Sequence, residues 1–358
     1  MKKKLLALAV AGAFVAPVAM ADVTIYGQAN VSVDIVNDGA VNNSTRTNHV
    51  SSNVSRLGFK GSEDLGDGLS AIWQVEQLIT IDNSGAGNTL TTRNTFAGLS
   101  SGSMGTVLLG RHDTPYKIAT RGLDLFMDTA ADNRSIMGFA GAHDARLTDV
   151  AAYISPAMSG LTLAIATVAG AETAAANTTK GGAWSLAGMY NAGPVNASLS
   201  YQAIDVGTAG TGTMGGFGGA AANDKLKAWK LGGGYTMDAL QMNGIYEKTS
   251  SSGSIGNALD RSAIYLAGKY NVSASDAVKL AYTRAGKVNS ATDTEGTQFS
   301  LGYDHSMSKN TTVYALYSKI ANKAAAAYTF SQATSVSGAM AGADSDPSVL
   351  SFGMKHSF

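Results

Sequence analysis

The sequence predicts an all-β fold, a sixteen-stranded antiparallel transmembrane β-barrel, and three observations point to it. Apolar and polar residues alternate with a period of two in segment after segment, the pattern of a strand with one apolar and one polar face. Tight turns and long Gly/Ala/Ser/Asp-rich connections alternate along the chain, as in an up-and-down barrel whose short turns share one end. Charged residues make up 15% of the 358, well below the ~25% of ordinary soluble domains. Beyond the N-terminal leader, no segment reaches the roughly 18 consecutive apolar residues of a spanning helix. Lipid offers the backbone no hydrogen-bond partners, so a chain without such helices can cross it only as a closed barrel.

The elements follow in order. Lys2, Lys3 and Lys4 precede an apolar run from Leu5 to Val18, and Ala19-Met20-Ala21 supplies a small-x-small cleavage pattern. Residues 1–21 therefore read as a secretory signal, leaving residues 22–358 as a single barrel domain. Removing three lysines takes the formal charge from zero to −3, a near balance that gives no reason to expect a nucleic-acid partner. The absence of cysteine excludes disulfides and thiolate metal sites, although an exported protein could carry disulfides.

In "DVTIYGQANVSVDIV", Val23, Ile25, Gly27, Ala29, Val31, Val33 and Ile35 share one face, and Thr24, Tyr26, Gln28, Asn30, Ser32 and Asp34 the other. "VNASLSY", "KAWKLGGGY" and the terminal "LSFGMKHSF" split the same way; in the last, Leu350, Phe352, Met354, His356 and Phe358 align. Strands are expected at 22–36, 51–61, 69–81, 92–100, 105–111, 146–154, 161–170, 183–191, 195–204, 225–236, 239–248, 261–271, 276–286, 296–305, 310–320 and 348–358. Tyr190/Tyr201, Tyr235/Tyr246, Tyr270/Tyr282 and Tyr303/Tyr317 each bracket a short turn, placing an aromatic girdle at one membrane interface. With sixteen strands the interior is too wide for side chains to fill, so a water-filled channel is expected. A soluble all-β adhesin sandwich would share the alternation but would not explain the thinned charge or the paired tyrosines.

Four stretches carry a family resemblance: "VTIYGQ" at the mature N-terminus, "SRLGFKGSEDLGDGLSAIWQVE" at 55–76, "RNTFAGLSSGSMGTVLLGRHDTPY" at 93–116, and "FGMKHSF" ending on Phe358. Together they resemble the general diffusion porins of the Gram-negative outer membrane. The resemblance implies an outer-membrane homotrimer that passes ions and small hydrophilic solutes by passive diffusion. It also implies that the third long loop, here 112–143, folds into the pore. Phe358 resembles the terminal signal read by the outer-membrane assembly machinery, and lipopolysaccharide and membrane lipid are the implied surroundings.

In that family acidic residues of the loop face basic residues on the opposite wall. Asp124 and Asp128 match the acidic pair. Arg56, Arg93 and Arg146 match the wall arginines, and Arg111 is a fourth candidate. Parity puts Arg56 and Lys60 inward with Leu57 and Phe59 toward lipid, and sets Phe96 on the lipid side opposite Arg93. Glu76, beside inward Gln74, is a candidate partner for the arginines. Arg121 and Arg134 can either face the pore or brace the loop, and Lys117 reads as solvated surface. An inward arginine can also serve only as a loop anchor. The loop lacks the Pro-Glu-Phe-Gly-Gly core found in part of the family. Asp149 falls on the lipid-facing parity, which a bulge, a subunit contact or a displaced strand boundary could accommodate.

No motif points to catalysis. His49, His112, His143, His305 and His356 form no HxxxH or HExxH pattern, no G-x-S-x-G elbow occurs, and "GGFGGA" at 215–220 lacks the strand-to-helix setting of a phosphate cradle. No enzyme activity, cofactor or metal is expected. A passive channel constricted by loop 112–143 is the leading reading. The alternatives are a substrate-selective channel, which calls for an aromatic track or a one-sign ladder in the pore, and a non-conducting adhesin or structural barrel.

Overall fold

A computed structural model describes residues 22–358 except 43, 83–91, 139–142, 170–180, 207–223, 254–255, 257, 290 and 331–341. The leader 1–21 and the glycine run at 215–220 thus lie outside the described residues. The strands are β1 (Asp22–Asn37), β2 in two halves (Arg46–Ser52 and Arg56–Gly66), β3 (Leu69–Leu78), β4 (Thr95–Ser101), β5 (Gly105–Asp113), β6 (Arg146–Ile154), β7 (Leu161–Val168) and β8 (Gly182–Ala192). There follow β9 (Val195–Asp205), β10 (Lys225–Met237), β11 (Leu240–Ser252), β12 (Arg261–Asn271), β13 (Asp276–Ala285), β14 (Gly296–Ser306), β15 (Thr311–Asn322) and β16 (Ser348–Ser357). Each pairs antiparallel with the next, and β1 pairs with β16 from Gln28↔Ser357 to Asn37↔Ser348, closing the sheet. Closure removes both edges, so every strand finds a partner on each side.

The strand expected at 51–61 is longer and broken. β1 spans the break as a splint: its first half pairs with Arg56–Ser62 and its second half with Arg46–Ser52. Between them Val54 has a φ of 58°, a left-handed conformation costly for a β-branched residue. The surrounding backbone is held by side chains: the Ser55 hydroxyl accepts from the Asn30 N–H at 2.9 Å and donates to the Asn30 carbonyl at 3.0 Å.

Alternation plays out as a reversal of the soluble pattern. Along β1, Val23, Ile25 and Val33 are exposed outward while Gln28, Asn30, Ser32 and Asp34 are buried inside. Leu199, Leu231, Leu266, Phe299 and Phe352 continue the outward apolar belt, the surface that hydrocarbon requires. Tyr190, Tyr235, Tyr270, Tyr282, Tyr303 and Tyr317 are exposed beside the short turns.

Two local departures have physical causes. In β6 the register against β5 shifts between Gly110 and His112, Asp149 has a φ of 56°, and its carbonyl accepts from the Ala169 N–H at 3.1 Å. The bulge switches the alternation, burying Leu147 before it and Val150 and Ala152 after it, and Asp149 itself stays exposed. Phe96, expected toward lipid, lies on the opposite face from exposed Leu99 and packs against the buried cluster around Leu108, Leu147 and Val150, with its ring 5.3 Å from that of His112.

Candidate functional site

The connection between β5 and β6 is the third long loop, and its side chains are bonded to the inner wall of the barrel. Thr114 caps a short helix, α1 (Pro115–Arg121), with Pro115 at its first position, where the missing N–H costs nothing. α1 lies against β7 to β10; the Tyr116 N–H donates to Ser185 Oγ at 2.9 Å, and the Tyr116 hydroxyl donates to Glu247 Oε2 at 2.8 Å. The approach leaves no room for a Cβ at two facing glycines unless the loop side chains shift. A Cβ on Gly232 would stand 2.7 Å from Leu123 Cδ1, and one on Gly302 would stand 2.8 Å from Phe126 Cε1.

Beyond α1 the loop wraps three carboxylates around one guanidinium. Arg121 bonds Asp124 at 3.3 Å, Asp128 at 3.2 Å, and Asp132 at both of its oxygens. Asp132 also accepts from Arg134 at 3.1 Å through each oxygen. Asp124 is more deeply placed than its expected role requires. Its side chain is 0% exposed, and it accepts from the Phe126 N–H, the Asn133 N–H and the Tyr265 hydroxyl at 2.9, 3.0 and 3.0 Å. Enclosed this deeply, the carboxylate anchors the loop to the Tyr265 wall, and the residue borders a recess that Lys279 and Lys355 also line. Burial and the neighbouring Asp132 push its carboxyl up, to about 6. Burial opposes ionisation of Asp128 and Asp132 as well, but Arg121 acts on both, joined by Arg56 on the first and Arg134 on the second, and holds them below the usual carboxylate range.

Asp128 meets the opposite wall. Arg56 Nη1 donates to its Oδ2 at 3.0 Å and Arg56 Nη2 to Gln28 Oε1 at 3.0 Å, while Asn30 Nδ2 donates to the Asp128 carbonyl at 2.6 Å. Arg93 precedes β4 instead of lying within it, so strand parity does not place it. Its N–H donates to the Glu76 carbonyl at 3.1 Å and its Nε to Glu76 Oε1 at 2.5 Å. Glu76 accepts from the Tyr26 hydroxyl at 3.0 Å through its other oxygen. Arg146 donates to Asn94 Oδ1 at 2.6 Å and to Asp113 Oδ2 at 3.0 Å.

Lys117, read from sequence as solvated surface, is buried and bonded to Asp113 at 2.9 Å; burial, partly offset by Asp113, lowers its ammonium to about 8. Lys60 stays apart, 5.3 Å over the Tyr26 ring. Arg111 reaches the Thr92 carbonyl at 3.3 Å and does not line the space where the other cations meet.

That space is a recess of about 320 Å3 lined by Arg56, Arg93, Arg121, Arg134, Arg146 and Lys117, with Asp113 and Asp128 as the lining carboxylates among the described residues. Asp113 keeps 15% of its side-chain surface and Lys117 8%. Arg56, Arg93, Arg121, Arg134 and Arg146 keep 12–20% of their side-chain surface, whereas Asp124 and Asp132 keep 0% and Asp128 8%. Asp124, Asp128 and Asp132 neutralise from behind while the guanidinium edges and Asp113 keep more of their surface.

Sequence reading missed Asp113, Asp132 and Lys355. Asp132 continues the four-residue spacing of Asp124 and Asp128. Lys355 sits on the inward parity of β16, opposite Asn30 and Thr312, and lines a second recess with Lys279 and Asp304.

Comparison with known proteins bears on the family and the fold. A family model described as Gram-negative porin matches residues 7–325. The chain is 29% identical over 370 residues to outer membrane porin protein 32 of Delftia acidovorans, covering 100% of both chains. Its fold is similar to a solved structure described as an anion-selective porin from Comamonas acidovorans, with a TM-score of 0.78, 25% identity and coverage of 94% of this chain and 100% of that one. It is also similar in fold to the trimer form of OmpT from Vibrio cholerae, with a TM-score of 0.68, 18% identity and coverage of 94% and 99%.

Proposed function

The chain belongs to the Gram-negative porin family, and from that premise we propose that it is an anion-preferring passive pore whose narrowest part is formed by loop 112–143 against Arg56, Arg93 and Arg146. As a member of this family it is an outer-membrane channel for small solutes. One observation carries the finer reading: among the described residues lining the recess six are basic, Arg56, Arg93, Lys117, Arg121, Arg134 and Arg146, and two are acidic, Asp113 and Asp128. Charge rings of one sign tune ion passage, and a narrow pore walled by protein keeps their field. A relative's description as anion-selective supports the same sign.

In this reading the leader 1–21 is removed on export and residues 22–358 form one barrel domain. Three copies assemble, as in the trimer form of OmpT. Lipopolysaccharide and lipid surround the apolar belt, and the assembly machinery reads Phe358. The test is the purified channel in a planar bilayer under a KCl gradient. Conductance steps in threes and a reversal potential of the sign set by chloride are expected; a potential of the sign set by potassium overturns the preference, and absence of conductance overturns the pore.

A further inference from the structure

The constriction presents more than charge. Glu76 takes the Nε of Arg93 and leaves the rest of the guanidinium free: among the described residues neither Nη1 nor Nη2 has a hydrogen-bond partner, and the side chain keeps 16% of its surface. Two parallel, accessible N–H edges are the fork that fits a carboxylate. The carboxylates already lining the recess have other partners. Asp113 is held by Lys117 at 2.9 Å and Arg146 at 3.0 Å, and Asp128 by Arg56 at 3.0 Å and Arg121 at 3.2 Å.

The wall beside that fork is apolar. Leu78, the last residue of β3, pairs with Arg56 across the sheet, so the two side chains share the inward face. The Leu78 N–H donates to Thr92 Oγ1 at 2.7 Å, which brings Arg93 alongside. Val54, kept at its left-handed φ of 58°, lines the same recess from the gap in β2, and Met127 lines it from the loop. All three apolar residues are only half-buried. Met127 lines the recess shared by Lys279 and Lys355 as well, so a thioether stands at the divide between the two spaces.

We propose that the constriction selects organic monocarboxylates with an apolar body, the Arg93 fork taking the carboxylate while Leu78, Val54 and Met127 take the body. Apolar walls with a few convergent polar groups are the make-up of a ligand site, and a thioether adapts to bodies of different shape. Chloride feels the positive field of the recess but covers none of the apolar wall. A neutral hydrophilic solute makes use of neither. Head and body are thus recognised by different residues, and each can be tested separately.

The inference rests on the anion-preferring reading, and one set of recordings separates the two. Sodium benzoate or sodium acetate is added to a bilayer holding the purified channel at constant chloride, and the concentration that halves the chloride current is read for each. Benzoate is expected to act at a concentration at least about tenfold below that of acetate, the worth of roughly 60 Å2 of ring removed from water. Met127→Gln keeps the length of the side chain and makes it polar; it is expected to raise the benzoate value and bring the two within about threefold. Arg93→Lys keeps the charge and removes the fork; it is expected to raise both values about tenfold and preserve their ratio. Equal values for benzoate and acetate in the native channel, no saturable block by either, a ratio untouched by Met127→Gln, or values untouched by Arg93→Lys overturn the site. Potassium preference under a KCl gradient overturns the underlying reading instead.

Discussion

Replacing Arg56, Arg93 and Arg146 with glutamine, singly and then together, changes the charge of the constriction without emptying it. Taken as a sphere, the 320 Å3 recess has a radius of about 4 Å, which sets each guanidinium charge at roughly 6 Å from a permeating ion. In water at that distance one unit charge is worth about 0.7 kcal/mol, and screening at 0.1 M salt leaves about 0.4 kcal/mol. The anion is favoured and the cation disfavoured by that amount, so each arginine contributes about 0.8 kcal/mol to their difference, or about fourfold in the anion/cation ratio. All three together then contribute about fiftyfold. The assay is the reversal potential under a KCl gradient, read for each single variant and for the triple. Three comparable steps toward the cation side are expected, with the triple near their product. A triple variant with the wild-type reversal potential refutes the reasoning, because it would place the selectivity elsewhere than in these charges.

Other outcomes follow from the same geometry. Lys117, lowered to about 8 by burial, loses its charge as pH rises through that value, so anion preference falls between pH 7 and 9; Lys117→Met starts at the lower preference and stays flat over that range. Asp124→Ala strips the acceptor from Arg121, Tyr265 and two backbone N–H groups and costs about 3–5 kcal/mol of loop anchoring, as breaking a buried pair does. It is read as broadened single-channel currents and protease cutting within 114–138. Because the native state holds the Asp124 proton up to about 6, against an ordinary value of 3.8, folding takes up that proton and this group's contribution to stability rises as pH falls from about 6 toward 4. Asp124→Asn flattens that part of the thermal-stability profile. Gly232→Leu drives a side chain into Leu123 and costs about 1–3 kcal/mol of overpacking; α1 is pushed toward the lumen and unit conductance drops.

The barrel was legible because each strand repeats one physical message. Val23, Ile25 and Val33 against Gln28, Asn30 and Ser32 identify the two faces of β1 from sequence alone, and regular segments such as 195–204, 225–236 and 348–358 do the same. Where regular alternation stops, parity stops informing. Arg93 lies ahead of its strand and is positioned by Glu76, Phe96 packs inward instead of facing lipid, and the bulge at Asp149 resets the faces of β6. The loop was legible in composition but not in direction. A carboxylate spaced four residues from another reads the same whether it meets water or a buried tyrosine, and only the fold shows that Tyr265 reaches Asp124 across 141 positions of sequence. Lys117 was misjudged for the same reason: its partner Asp113 belongs to the preceding strand, and the enclosure around both comes from the rest of the barrel.

The interrupted second strand joins pore width to barrel completion. Asn53 in the gap donates to the Tyr314 hydroxyl at 3.2 Å, which donates to Asn30 Oδ1 at 3.1 Å, and Asn30 in turn holds the loop at Asp128. Tyr314 is on β15 and Asn30 on β1, so this relay crosses the seam where the first strand meets the last. An open sheet lacks the two sides of that relay and keeps only the other ties on the loop, such as that between Arg56 and Asp128. On the proposed reading, in which loop 112–143 forms the narrowest part, one of the ties that sets the aperture is made only when the last strand docks.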